Sequence, residues 1–167
     1  WSSEVCSSVL VQALKILSRD DIQLIVFGSD GPGKVNIDGL DVKFLGMLDK
    51  DSQLIDVNSA ADIVAVPSLQ EVFGQTATEA MACGSPVLAF GATGLLDIVL
   101  HQVTGYLAEP FDPGSLAAGI QWILEDDERH RSLCREARNR TVHDFDIFVV
   151  ARQFRQIYQD LVNERNS

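Results

Sequence analysis

The chain predicts an α/β fold, a doubly wound and mostly parallel sheet with helices on both faces and a run of helices at the C-terminal end. Three observations carry that prediction. Residues 63 to 90 read strand, loop, helix, strand: the apolar runs Ile63–Val66 and Val87–Phe90 flank a helix-forming stretch from Gln75 to Ala82. Upstream, apolar runs of strand length alternate with stretches of helical period. Beyond Asp112 only helical patterns remain.

The elements follow in order. Ser3 is placed to cap a helix from Glu4 to about Ser18, with Val5, Val9, Ala13, Ile16 and Leu17 at helical spacing. Arg19-Asp20-Asp21 ends it, and Ile22–Phe27 reads as a strand of the fully buried type. Gly28-Ser29-Asp30-Gly31-Pro32-Gly33 then invites a dinucleotide reading. The spacing is not that of the dinucleotide fingerprint and no helix follows, so it reads as a plain loop. Asp41–Gly46 is the next strand, and Ser52–Ala60 the next helix. Asp49-Lys50-Asp51, which superficially suggests a D-x-D metal motif, reads as the N-cap and first-turn charge of that helix. Ala61–Pro67 feeds the central unit. Val103–Glu109 is a last short strand, with Thr104-Gly105 as its turn and a lone His101 before it of structural character. Asp112 caps a helix with Pro113 in its first position, running to Leu124 with Leu116, Ile120, Ile123 and Leu124 as its apolar stripe. A charged helix from Asp127 to about Val142 turns Leu133, Cys134 and Ala137 inward. Asp146 caps the last helix, Ile147–Asn163, whose Ile147, Val150, Ala151, Phe154, Tyr158 and Leu161 recur at spacings of three and four.

Composition narrows the function. The 167 residues suffice for one domain, taken as 1–167, and 46% of them are hydrophobic. No run approaches the ~20 apolar residues of a membrane span, and no signal peptide is read at Trp1-Ser2-Ser3-Glu4. Cys6, Cys83 and Cys134 lack metal-ligand spacing and read as reduced thiols, so a cytoplasmic protein is expected. A net charge of -11 argues against nucleic acid and against an anionic membrane surface. Lys and Arg are absent between Asp51 and Glu128, so a diphosphate bound there needs cations from Lys15, Arg19 or Lys34, a metal, or other chain.

The central stretch, Pro67 to Val87, carries the chemistry. Glu71 lies in its loop and Glu79 inside its helix. The first helical turn, near Gly74 to Ala77, leaves N–H groups unpaired and concentrates the positive end of the helix dipole, which suits a phosphate. Helical side chains lean toward the N-terminus, so Glu79 reaches back toward that ligand. A carboxylate repels phosphate and matches a sugar diol, so the ligand implied is a phosphate flanked by sugars.

The run Glu71-Val72-Phe73-Gly74 followed by Glu79-Ala80-Met81-Ala82-Cys83-Gly84-Ser85-Pro86-Val87 resembles the E-x7-E signature of retaining group 1 glycosyltransferases of the GT-B fold. The resemblance extends from Val5 to Val162. It implies a Rossmann-like C-terminal half of such an enzyme, binding the nucleotide-diphosphate-sugar donor (UDP-, GDP- or ADP-sugar). By the resemblance Glu79 holds the ribose hydroxyls, while Gly74, Gln75 and Thr76 offer backbone donors to the phosphates beside Phe73. Glu71 bonds the transferred sugar as the catalytic residue, and the backbone around Leu48 meets the base. The family transfers the sugar to a glycan, lipid or other acceptor without a metal or other cofactor. It also implies an N-terminal acceptor domain and a first strand outside this chain, supplying an Arg and a Lys to the diphosphate. Contact with the inner membrane surface would come through that domain, and this half alone would be inactive. The chain departs from the family pattern at four positions. Ser29 replaces the first Gly of a family turn. In Gly91-Ala92-Thr93-Gly94-Leu95-Leu96-Asp97, Thr93 replaces one Gly of a pair, which works against close backbone approach to a donor, Leu96 replaces a Pro and Asp97 stands for a Glu. A related GT-B sugar-nucleotide epimerase and a non-catalytic module on the same scaffold remain alternative readings.

Overall fold

The computed structural model describes residues 2–28 and 40–165, with side chains from residue 8 onward. The Gly31-Pro32-Gly33 loop, Ser29 and Lys34 lie outside the described residues, as do the side chains of Ser3, Val5 and Cys6.

Seven helices and five strands are described, in the order α1 (Ser2–Leu17), β1 (Gln23–Phe27), β2 (Asp41–Gly46), α2 (Asp51–Ala60), β3 (Val64–Val66), α3 (Gln75–Ala82), β4 (Val87–Phe90), α4 (Leu95–Ile98), β5 (Gly105–Ala108), α5 (Pro113–Leu124), α6 (Asp127–Arg140) and α7 (Ile147–Arg165). A single π-helical turn, Thr141–Phe145, joins α6 to α7. Every strand pairing is parallel, as the alternation of strands and helices requires. The strands form two ladders, β1-β2 and β3-β4-β5, rather than one continuous sheet among the described residues.

β4 is the centre of the larger ladder, and its sequence is VLAF because both its faces are covered. Side chains alternate across a strand. Leu88 and Phe90 join Val9, Ala13 and Leu14 of α1 and Leu116, Ile120 and Ile123 of α5 in one cluster. Val87 and Ala89 join Ala77, Ala80 and Met81 of α3, with Leu95 and Ile98 of α4, in the other. Helices on both faces make the fold doubly wound. The first cluster also takes in Leu24 of β1 and Ala65 of β3, so the two ladders share one helical cover.

β1 is not the fully buried strand that its QLIVF run suggests: its residues alternate between exposed and half-buried. Among the described residues one of its edges carries a ladder and Leu24 packs into the cluster shared with α1, while Ile25 stays exposed. Gly105 is likewise a strand residue, paired with Val87, and not part of a turn.

The caps divide by chemistry. Asp112 Oδ1 accepts from the Gly114 N–H at 2.8 Å, and Asp146 Oδ1 from the Phe148 N–H at 2.9 Å. α6 is capped by Asp126, one residue ahead of the expected start. The Arg129 N–H bond holds the Asp126 carboxyl below the ordinary range, helped by the Glu128 N–H and the charges of Arg129 and Arg131. At α2 the cap position is Lys50, whose N–H donates to Gln53 Oε1 at 3.2 Å, and Asp51 supplies first-turn charge. His101 is structural: Nδ1 accepts from the Leu107 N–H at 3.1 Å and the ring lies 4.6 Å from that of Tyr106.

Candidate functional site

The site residues sit where the β3 chain leaves its ladder and enters α3. Gly74 makes the turn. Its φ of 82° is left-handed, and a Cβ there would lie 3.1 Å from Leu95 Cδ2. The same position serves as the N-cap of α3, and as a glycine it offers no side chain to cap the helix. The first-turn N–H groups at Gln75 and Thr76 therefore have no capping side chain, and both residues are exposed. Within the helix, both the N–H and the hydroxyl of Thr78 donate to the Gly74 carbonyl, at 3.1 and 2.9 Å.

Glu79 is half-buried one turn into α3. Gln75 Nε2 donates to its Oε1 at 3.0 Å, so the carboxylate is drawn toward the N-terminal end of its helix. Glu71 is half-buried in the loop, beside a fully exposed Val72. Its carboxylate accepts no hydrogen bond from a described residue.

The loop itself is held from the side. The Glu71 N–H donates to Thr93 Oγ1 at 3.0 Å, and the Gly94 N–H donates to the Glu71 carbonyl at 2.9 Å. Gly94 packs so closely that a Cβ would stand 2.6 Å from the Val72 carbonyl oxygen. Phe73 is about half-exposed and meets the edge of Phe145 at 5.7 Å between centroids, with the rings at 87°. The Arg140 guanidinium lies 5.5 Å over that Phe145 ring.

Phe73, Gly74, Gln75, Thr76, Glu71 and Glu79 thus form one contiguous group. Leu48 is half-buried in the β2–α2 loop of the other ladder, and no described hydrogen bond ties it to them. Thr93 is visible in sequence as the residue that replaces one Gly of the family pair, but its bond to Glu71 is not, and Gly94 and Phe145 are not read from sequence as site residues. A β-branched residue followed by Gly just ahead of a helix was the signal for Thr93 and Gly94; Phe145 offered none.

Three arginines are engaged elsewhere. Arg140 donates to the carbonyls of Asp97 and Ile98 at 2.6 and 2.9 Å, at the C-terminal end of α4. Arg138 donates to the Ala82 carbonyl at the C-terminal end of α3. Arg19 is paired with Asp21, its Nε donating at 2.8 Å. No group of three or more His, Cys, Asp or Glu that could hold a metal occurs among the described residues. Burial, with the charge of Asp62, pushes the Cys134 thiol up, and its Sγ lies 3.8 Å from His130 Nδ1. No described helix is long and apolar enough to cross a membrane.

Comparison with known proteins bears directly on this arrangement. Residues 7–140 match the family described as glycosyl transferases group 1. The chain belongs to that family. It is 32% identical over 164 residues to N-acetyl-alpha-D-glucosaminyl L-malate synthase of Bacillus anthracis, covering 93% of this chain and 42% of that enzyme. It is 37% identical over 140 residues to D-inositol 3-phosphate glycosyltransferase of Xylanimonas cellulosilytica, covering 78% of this chain and 33% of that one. Among solved structures, Anabaena HepE in complex with UDP and glucose superposes with a TM-score of 0.80 at 26% identity, over 96% of this chain and 45% of HepE. Sucrose-phosphate synthase from Thermosynechococcus elongatus gives a TM-score of 0.76 at 32% identity, over 93% of this chain and 43% of the synthase. The α/β architecture with parallel ladders matches these GT-B glycosyltransferases. This group 1 glycosyltransferase chain spans less than half the length of these relatives.

Proposed function

We propose that this chain is the donor-binding half of a retaining glycosyltransferase, taking a nucleotide-diphosphate-sugar and presenting its sugar to an acceptor bound by a separate N-terminal domain. The observation that carries the proposal is the α3 N-terminus free of a side-chain cap, with Glu79 drawn back toward it and Glu71 held half-buried in the loop that enters it. Relatives of known activity in the family, and the UDP and UDP-glucose complexes of Anabaena HepE, favour a nucleotide-sugar, with UDP as the first candidate.

Each residue then has a role. The N–H groups of Gly74, Gln75 and Thr76 donate to diphosphate oxygens. Glu79 accepts from two ribose hydroxyls, with Gln75 fixing its orientation. Phe73, seated on Phe145, walls the sugar-phosphate junction, and the chain at Leu48 meets the base. Glu71 accepts from hydroxyls of the transferred sugar and orients its anomeric carbon. The bond from that carbon to the leaving phosphate breaks as the bond to the acceptor oxygen forms on the same face, and the acceptor proton passes to the phosphate. Positioning and charge stabilisation carry the rate, with no metal or other cofactor required.

An acceptor domain and an upstream strand would complete the enzyme and supply the cations that the span from Asp51 to Glu128 lacks. α7 supports a partner domain: none of its residues is buried, and Ile147, Phe148, Phe154, Ile157, Tyr158 and Leu161 leave an apolar surface uncovered. In this reading the enzyme works in the cytoplasm, and any membrane contact comes through the acceptor domain.

The test is calorimetry of UDP binding to the full-length enzyme. Glu79→Ala is expected to lose two hydrogen bonds to a charged acceptor and to weaken UDP binding by roughly tenfold to a hundredfold. Unchanged affinity would overturn the assignment of Glu79.

A further inference from the structure

We infer that Thr93 is a positioning residue for the donor loop, a side-chain clasp that fixes the backbone of Glu71. The inference rests on the donor-binding reading above and goes beyond it, because Thr93 stands where the family pattern shows glycine, so its hydroxyl and the bonds that hydroxyl makes are a departure from that pattern.

Three observations carry it. First, Thr93 sits at φ 46°, in the left-handed region. A β-branched side chain there is strained, so something must compensate for keeping it. Second, its hydroxyl meets the loop twice. Oγ1 accepts from the Glu71 N–H at 3.0 Å and reaches the Leu69 carbonyl at 3.5 Å. Third, the next residue completes the clasp. The Gly94 N–H donates to the Glu71 carbonyl at 2.9 Å, so both backbone groups of Glu71 are bonded to residues 93 and 94.

The consequence is mechanical. Thr93 and Gly94 begin the turn into α4, and α4 is anchored in the core by Leu95 and Ile98, both essentially unexposed. Arg140 holds the far end of the same helix through the carbonyls of Asp97 and Ile98. The clasp therefore ties the Glu71 loop, otherwise exposed at Val72 and Phe73, to a rigid part of the fold. A glycine at 93 would accept the backbone turn without strain and would give up the hydroxyl.

That trade makes opposite signs the signature. Thr93→Gly is expected to raise the melting point while speeding exchange of the Glu71 amide by roughly tenfold, the value of one lost hydrogen bond. Thr93→Val removes the hydroxyl and keeps the shape; it is expected to speed the same exchange without the gain in melting point. Thr93→Ser keeps the hydroxyl and is expected to restore wild-type exchange. In the full-length enzyme assayed with UDP-glucose, Gly and Val variants are expected to raise KM several-fold, and Ser to restore it.

Amide exchange is read without ligand and UDP-glucose turnover with it, so the two readings fail separately. Wild-type exchange at Glu71 in both Thr93→Gly and Thr93→Val would overturn the clasp. So would faster exchange with an unchanged KM for UDP-glucose, which reduces the contact to a structural one. A protected Glu71 amide in a wild-type enzyme that does not turn over or bind UDP-glucose would instead count against the donor-binding reading on which the inference rests.

Discussion

Gly105→Ala is expected to unfold or severely destabilise the protein. A Cβ at Gly105 would stand 2.0 Å from the Val87 carbonyl oxygen and 2.8 Å from its N and C atoms. These are backbone atoms of the neighbouring strand, and no rotamer change relieves the clash. Gly105 pairs with Val87 at the start of the β4–β5 ladder. β4 is buried on both faces, so β5 cannot move away without opening the ladder, and β4 cannot move without disturbing both core clusters. Overpacking of a tight core costs about 1–3 kcal/mol, and a backbone clash of this depth belongs at or beyond the upper end. For a domain of this size that lowers the melting point by roughly 10 °C. Circular dichroism melts check it: a variant that melts within two or so degrees of wild type would show that the strands part more easily than this packing allows.

Glu71→Ala is expected to leave the fold intact and to abolish most sugar transfer. The carboxylate has no described hydrogen-bond partner, so its removal strips nothing from the folded protein, and stability should hold within about 0.5 kcal/mol. The loop survives because Thr93 and Gly94 hold the Glu71 backbone and not its side chain. In the proposed role, the carboxylate bonds hydroxyls of the transferred sugar and orients its anomeric carbon. Loss of one such preorganised interaction typically costs about 10²–10³ in turnover. The rate of UDP release from UDP-glucose by the full-length enzyme reads this directly, and UDP affinity, which the proposal assigns to Glu79 and the α3 N-terminus, should change little. Equal losses of turnover and of UDP affinity would place Glu71 at the nucleotide instead of the sugar.

The fold was legible in the sequence where local pattern and tertiary burial agree. VLAF is an uninterrupted apolar run because α1 and α5 cover one face of β4 and α3 and α4 the other. Asp112-Pro113 marked the start of α5 because cap and first-turn chemistry depend only on neighbours in sequence. QLIVF misled, since the number of neighbours that a strand finds is decided by chain far away in sequence. The π turn at Thr141–Phe145 also escaped, because its TVHDF sequence continues the pattern of α6 without a breaker. The site divides in the same way. Glu71, Gly74 and Glu79 lie on one local motif and could be read together. The bond from Glu71 to Thr93 spans 22 residues and exists only once β3 and β4 are side by side. Phe145 against Phe73 likewise depends on how α6 ends.

The central claim is that a nucleoside diphosphate binds at the N-terminus of α3. Its most direct measurement is a titration of isotope-labelled protein with UDP, followed through the backbone amide resonances of Gly74, Gln75 and Thr76. The account predicts that these three amides shift together and saturably, and that Glu79→Ala weakens the response. Shifts confined to residues outside the 71–79 segment, or no shift of these amides at millimolar UDP, would contradict it.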